Sequence, residues 1–218
     1  MKEIDIVIVS NAKSEKHRML TVNAIDSLHK SDDFKFNAII MEQTEVRYDN
    51  AITVNYKFDF NYNKCLNEGA KHGNAEYIVF CNNDLIFTKG WFDSLLDVFE
   101  MGYKSLCPAE KRHCRDNNIK LGNHLIEGYE IRQQLFGWCI ATTREMIESI
   151  GGFDEGVMFW FSDTIYADQL KYHNIKHALV CNSFVEHKES ATLKTVPQKD
   201  LTWGQKNKYE LIKQKYVK

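Results

Sequence analysis

The stretch Glu76-Tyr77-Ile78-Val79-Phe80-Cys81-Asn82-Asn83-Asp84 runs through five apolar residues and then stops on two amides and a carboxylate. Five consecutive apolar residues rich in β-formers describe a strand buried on both faces, as in a parallel sheet covered by helices. In open α/β sheets the ligand crevice lies outside the carboxyl ends of such strands, so Asn82, Asn83 and Asp84 fall where a binding site is built. A plain Asn-Asn-Asp turn is the competing reading, because these residues are default turn formers.

The rest of the chain alternates in the same way. Ile4 to Val9 is an apolar strand broken only by Asp5, and it ends in the loop chemistry of Ser10-Asn11-Ala12-Lys13. His17 to His29 places Leu20, Ala24, Ile25 and Leu28 at helical spacing, and Asn37 to Met41 is a second strand, ended by Glu42-Gln43-Thr44-Glu45. Residues 61–72 suit a short helix stopped by Gly73-Asn74, Trp91 to Phe99 a further helix, and Ser105 to Pro108 a strand end. Lys111 to Asn118 is polar, basic and without a period, which predicts a long loop. Leu135 to Thr142 reads as a strand and Arg144 to Ser149 as a short helix ended by Gly151-Gly152. Thr164 to His173 reads as a helix that Ser162 or Asp163 is placed to cap. His177 to Glu186 is a last strand, and Trp203 to Tyr216 a basic amphipathic tail helix. Strand, helix and strand in succession predict an α/β fold around a mainly parallel sheet.

Composition narrows the class. With 218 residues, 44% of them hydrophobic, the chain can bury a proper core, and its formal net charge of −2 carries no overall nucleic-acid-type basic bias. The amino terminus enters a strand directly, without a signal-peptide pattern, and the longest apolar run, Leu135 to Thr142, is far short of the roughly 20 residues of a membrane span. A soluble cytoplasmic protein is the expectation. Six cysteines without Cys-x-x-Cys spacing read as buried free thiols rather than disulfides or a zinc site.

The order of these motifs resembles that of the nucleotide-sugar glycosyltransferases of GT-A fold, family 2, from residue 4 to about residue 190. Asn82-Asn83-Asp84 is similar to the Asp-X-Asp signature, with Asn82 standing in place of the first Asp. Ile6 to Asn11 looks like the first strand and its nucleotide-contacting loop, which carries Ser10 and Asn11; Glu42 occupies the place of the acid that meets base or ribose. Asn67-Glu68-Gly69 resembles the Asn-x-Gly helix element. Phe136 to Ala141 resembles the acceptor-side strand, and Gly151-Gly152-Phe153-Asp154-Glu155 matches the family's Gly-Gly-Phe-Asp-Glu turn. His187 falls at the family's late metal-ligand histidine. The resemblance implies one GT-A domain over 1–190, with 1–107 the nucleotide-sugar half and 108–190 the acceptor half, followed by a basic helical tail over 191–218.

It also implies a chemistry. A departing nucleoside diphosphate carries charge that a divalent cation stabilises, and Asp84 with His187 offers an oxygen and a nitrogen ligand that suit Mn²⁺ in preference to Mg²⁺. Ser10, Asn11, Glu42, Asn67, Asn82 and Asn83 are the expected contacts to a nucleotide-sugar donor, a UDP-sugar in the first instance. Inverting transfer needs a base for the acceptor hydroxyl, and Asp163 resembles the carboxylate of the family's Glu-Asp pair, with Ser162 in the Glu place and Ile165 where a further acid stands. Asp154 and Glu155 are second candidates or surface-turn residues, and Trp160 is a sugar platform or core. The acceptor is a saccharide or a modified DNA base, the latter hinted at by Lys111, Arg112, His113, Arg115 and the tail lysines 206, 208, 213, 215 and 218. A non-catalytic sugar- or nucleotide-binding module and a related nucleotidyltransferase are the rival classes; the second normally needs a glycine-rich loop that Ser10 to Ser14 lacks.

Overall fold

Along the first strand Ile4, Ile6 and Ile8 join one apolar cluster and Val7 the opposite one, so a period of two divides the core between the two faces of a sheet. The protein was described as a computed structural model covering residues 2–188 and 198–217, with residues 198–203 described by their backbone alone. The strands are β1 (Glu3–Ser10), β2 (Lys35–Glu42), β3 (Ile52–Asn55), β4 (Tyr77–Asn82), β5 (Leu85–Phe87), β6 (Ser105–Ala109), β7 (Leu125–Glu127), β8 (Cys139–Thr143) and β9 (His177–His187). The helices are α1 (Glu15–Ser31), α2 (Tyr62–Ala70), α3 (Trp91–Glu100), α4 (Lys111–Asp116), α5 (Arg144–Ser149), α6 (Ser162–Tyr172) and α7 (Gln198–Lys213), the last continued by a 3-10 turn over Gln214–Tyr216.

The sheet order is β3-β2-β1-β4-β8-β6-β9-β5, with β7 paired to β9. Strands β1, β2, β3 and β4 are parallel to one another; β8 runs against both β4 and β6, which returns β6 and its parallel neighbour β9 to the first direction. The carboxyl ends of β1, β3, β4 and β9 therefore share one edge of the sheet. Helices α1 and α3 cover one face through Ala24, Ile25, Leu28, Trp91, Phe92 and Leu95. Helices α2, α5 and α6 cover the other through Leu66, Met146, Ile147, Tyr166 and Leu170. This is the single-domain mixed α/β architecture expected. Helix α2 lies close to β1 because Gly69 has no side chain: a Cβ there would stand 2.4 Å from Val7 Cγ1.

Several boundaries differ from expectation. Residues 111–116 are helical rather than looped, because Glu110 caps α4 by accepting from the amides of Arg112 (3.2 Å) and His113 (2.6 Å) while Cys114 is buried beneath it. Strand β8 begins at Cys139, four residues late, because Leu135 and Phe136 belong to a turn in which Arg132 has φ +67° and the Cys139 amide donates to the Phe136 carbonyl. Helix α6 begins at Ser162 behind Phe161, so neither Ser162 nor Asp163 is its N-cap. The short strands β3, β5 and β7 carry too few residues to show a period. The six thiols are free and buried, as expected. The proposed boundary at residue 190, and Lys218, lie outside the described residues.

Two buried polar clusters tie the halves together. Asp5, fully buried in mid-strand, accepts from Arg144 Nη2 (2.7 Å), the Ala75 amide (2.9 Å) and Asn37 Nδ2 (3.0 Å), while Arg144 also donates to the carbonyls of Ala75 and Ala70. This is why a charge sits inside the first strand: it joins β1, the turn before β4, and α5. At the start of β9, His177 Nε2 faces the Gln134 carbonyl (3.1 Å) and so must carry the proton, leaving Nδ1 to accept from the Ser105 hydroxyl (2.8 Å). Burial lowers the His177 pKa to about 4.

Arg144→Ala leaves the Asp5 carboxylate buried and unpaired and is expected to cost about 3 kcal/mol of stability by urea denaturation, whereas Glu68→Ala, which breaks the exposed pair with Lys71, stays within about 0.5 kcal/mol. His177 is held neutral in the folded state, so its contribution is complete above the ordinary histidine pKa and is lost as pH falls from about 6.5 toward 4. Stability at pH 5 is expected to be about 2 kcal/mol below that at pH 7, with the drop reduced in His177→Gln.

Candidate functional site

The loops after β1, β2 and β4 are held by one chain of hydrogen bonds. Asn83 Nδ2 donates to Thr21 Oγ1 (3.0 Å), which pairs with Ser10 Oγ (2.8 Å); Ser10 pairs with the Tyr48 hydroxyl (3.1 Å), which donates to Glu42 Oε2 (2.9 Å). The other Glu42 oxygen accepts from the amides of Ala12 (3.0 Å) and Thr44 (2.8 Å) and from Thr44 Oγ1 (2.8 Å). Burial pushes the Glu42 carboxyl up, but these donors outweigh it and hold it below the usual carboxylate range. Ser10, Glu42 and Asn83, three of the expected nucleotide-sugar contacts, are thus linked through Thr21 and Tyr48, and Glu42 is fully buried. Asn11 follows Ser10, donates from its amide to Gln43, and leaves its own Oδ1 buried without a partner.

Asp84 and His187 come together through strand pairing. β5 runs antiparallel to β9 with Leu85 opposite His187, and the Lys188 amide donates to the Asp84 carbonyl (2.9 Å). Asp84 Oδ1 and His187 Nε2 stand 3.1 Å apart. The two atoms are not aligned as a hydrogen bond, and each is buried with no other partner. A buried polar atom without a partner costs about 1–3 kcal/mol, and two facing each other have the chemistry to bind a third group jointly. The imidazole stacks on Trp138, whose ring lies 5.5 Å from it at 21° and is itself stacked with Phe136 at 5.0 Å and 20°. A cleft of about 200 Å³ opens beside them, bounded by His187, Trp138, Glu110, Arg112, His113, Asp116 and Asn117.

Asn82 closes β4. Its Oδ1 accepts from the Tyr62 hydroxyl (2.9 Å), and its backbone N–H donates to the Trp138 carbonyl (3.0 Å). Burial, then the Cys81 and Cys139 thiols and the Asp84 and Asp163 carboxylates, push the Tyr62 phenol far above its ordinary value, which places Tyr62 under the field of both acids. Asp163 lies over the backbone of Gly137, where a Cβ would meet its side chain at 3.0 Å. Burial raises the Asp163 carboxyl, against hydrogen bonds from the Thr164 amide (2.8 Å) and hydroxyl and the charge of Arg132.

Asn67 is placed elsewhere. Its amide donates to the Phe153 carbonyl (2.8 Å) and Glu155 Oε1 (2.9 Å), and its Oδ1 accepts from the Phe153 amide (2.9 Å), so it pins α2 to the Gly151–Glu155 turn. Gly152, at φ +81°, is required there, since a Cβ would fall 2.7 Å from Asn67 Oδ1. Asp154 is likewise engaged, accepting from Tyr216, Lys215 and the Gly156 amide. Trp160 is half-buried beside Phe159, edge to face at 5.4 Å. Tyr62 and Trp138 were not singled out from sequence; the one signal was that Trp138 lies within the segment matched to the acceptor-side strand.

Four buried side-chain polar atoms among the described residues lack a hydrogen-bond partner: Asn11 Oδ1, Tyr56 Oη, Asp84 Oδ1 and His187 Nε2. The Tyr56 hydroxyl has only the Cys65 thiol, a weak partner, beside it. All four residues sit at or just past the ends of β1, β3, β4 and β9, on one edge of the sheet. Among the described residues no three His, Cys, Asp or Glu side chains gather as a metal cluster, and no helix is long and apolar enough to cross a membrane.

No family model matches the sequence, and no curated protein matches it. Among solved structures the chain is similar to S. aureus TarS 1-349, a glycosyltransferase, at a TM-score of 0.60 and 14% sequence identity, over 86% of this chain and 60% of that one. The chain thus spans about 60% of the length of that structure. At this identity the likeness is one of fold: a single α/β domain with a mainly parallel sheet between helices, of the GT-A type expected from the sequence.

Proposed function

We propose that this protein is a metal-dependent, inverting glycosyltransferase that moves a sugar from a nucleoside-diphosphate sugar, a UDP-sugar in the first instance, to an acceptor hydroxyl. The observation that carries this reading is the facing pair Asp84 Oδ1 and His187 Nε2, buried 3.1 Å apart without a hydrogen-bond partner, with Asn11 Oδ1 likewise unpartnered on the same edge of the sheet. Unsatisfied buried polar atoms are rare, and their gathering at the ligand edge of an α/β sheet supports a polar ligand there.

The donor set fits a divalent cation with few protein ligands. Asp84 and His187 would hold it, the remaining positions falling to phosphate and water, which suits Mn²⁺. Held there by Asp84 and His187, a cation would supply positive charge against the charge that develops on a departing diphosphate. The chain's own residues supply the rest. The Ser10–Glu42–Asn83 network holds the loops after β1, β2 and β4 in one arrangement, so that binding does not have to order them. Trp138 fixes the plane of the His187 ring. Asp163, with its carboxyl raised by burial and close enough to influence Tyr62, is suited to take the proton from the acceptor hydroxyl as that oxygen attacks the sugar carbon. Asn82 keeps an acceptor oxygen where the related signature has a carboxylate, and Tyr62 donates to it, so the position orients without adding charge.

A thermal-shift panel of nucleoside diphosphates with and without Mn²⁺ tests the reading: stabilisation by UDP that requires Mn²⁺ supports it, and no stabilisation by any nucleoside diphosphate would sink it. Asp84→Ala and His187→Ala are each expected to weaken Mn²⁺-dependent UDP binding about 10- to 100-fold by calorimetry. Asp163→Asn is expected to leave that binding intact while slowing donor turnover about 10²-fold. An unchanged rate in Asp163→Asn removes it as the base.

A further inference from the structure

The tail helix has a buried stripe that its basic composition does not announce. Gln205, Tyr209 and Ile212 are buried and Tyr216 half-buried, at helical spacing, while Lys206, Lys208 and Lys213 face outward. The stripe packs on the segment between the Gly151–Glu155 turn and α6. Ile212 and Tyr209 form a separate apolar cluster with Val157 and Ile165, and Ile212 lies so close to Gly156 that a Cβ there would stand 2.3 Å from Ile212 Cδ1.

The polar contacts fall on the same segment. Gln205 Oε1 accepts from the Phe159 amide (2.9 Å), Tyr209 donates to Asp168 of α6 (3.1 Å), and Tyr216 and Lys215 donate to Asp154 (2.8 and 3.1 Å). Phe161, the residue before α6, has φ +70°, a left-handed conformation that a bulky residue adopts only where its surroundings hold it. The surrounding that holds it is the Tyr209 ring, stacked on Phe161 at 5.0 Å and 6°. That conformation sets where α6 begins, and Asp163 is the second residue of α6.

We propose that α7 is a positioning element of the candidate active site: Gln205 and Tyr209 fix the 156–161 segment from behind and thereby set the place of Asp163. The inference rests on the assignment of Asp163 as base given above. It assigns the tail a role inside the fold, since Gln205, Tyr209 and Ile212 are buried against that segment.

The test uses the full chain with UDP-glucose and Mn²⁺ as the probe, and reads donor hydrolysis together with amide hydrogen exchange. Gln205→Leu removes the acceptor and Tyr209→Ala the stack; Tyr209→Phe keeps the stack. The first two are expected to speed exchange of the 157–164 amides about 10-fold or more, with β1–β4 amides unchanged. They are expected to lower kcat about 10-fold with KM for the donor within about twofold, while Tyr209→Phe stays near wild type. Unchanged exchange at 157–164 in both variants overturns the proposal, as does faster exchange with kcat unaltered. Asp163→Asn, assayed beside them, separates the two claims: if it turns over donor at the wild-type rate the base assignment fails, whereas a slow Asp163→Asn with unaffected Gln205→Leu and Tyr209→Ala rejects the positioning role alone.

Discussion

The antiparallel pairing of β5 with β9 is the contact on which the site depends, because it brings the end of the central strand's turn against the end of the last strand. With Leu85 opposite His187, Asp84 and His187 face each other at 3.1 Å. A slip of one residue in that register would turn His187 to the other face of the sheet. The register is secured beyond three ladder positions by the Lys188 amide on the Asp84 carbonyl and by Thr88 Oγ1 on the Phe184 carbonyl. A short strand of three residues thus decides the place of two groups that nothing else in the local sequence would bring together.

Around that contact the protein places polar groups in two different ways. Where the chain needs rigidity, buried polar atoms are satisfied: Asp5 by Arg144, Ala75 and Asn37, and Glu42 by Ala12, Thr44 and Tyr48. A fully partnered network in a low-dielectric interior rigidifies the backbone that carries it. At the carboxyl edge of the sheet, by contrast, Asp84 Oδ1, His187 Nε2 and Asn11 Oδ1 are buried without a hydrogen-bond partner. The contrast lies within a few residues: Ser10 is paired, and Asn11 beside it keeps an open oxygen.

The segment from the Gly151–Glu155 turn to α6 is held by helices outside the sheet. Asn67, Asn63 and Asn61, all on or capping α2, reach the backbone of Phe153, Asp154 and Glu155, and α7 packs on the following segment. The segment leading to Asp163 is therefore held between an early helix and the last one. Its left-handed Phe161 is a local cost that those contacts offset.

Read alone, the sequence determined the α/β class, the strands β1, β2, β4, β6 and β9 and the buried free thiols, because apolar runs ended by polar residues are local signals; that Asp84 and His187 belong together was implied only by the family resemblance. It did not show helix α4, whose cap is a Glu side chain rather than a usual capping residue, nor the three-residue strands, which are too short for any period to register. The tertiary structure alone decided that Glu42 and Asn67 are spent on internal bonds, that Trp138 and Tyr62 support the candidate site, and that the tail helix folds back against the segment before Asp163. The physical reason is that hydrogen-bond partners and ring stacks between residues distant in the chain depend on register and packing, which no local pattern encodes.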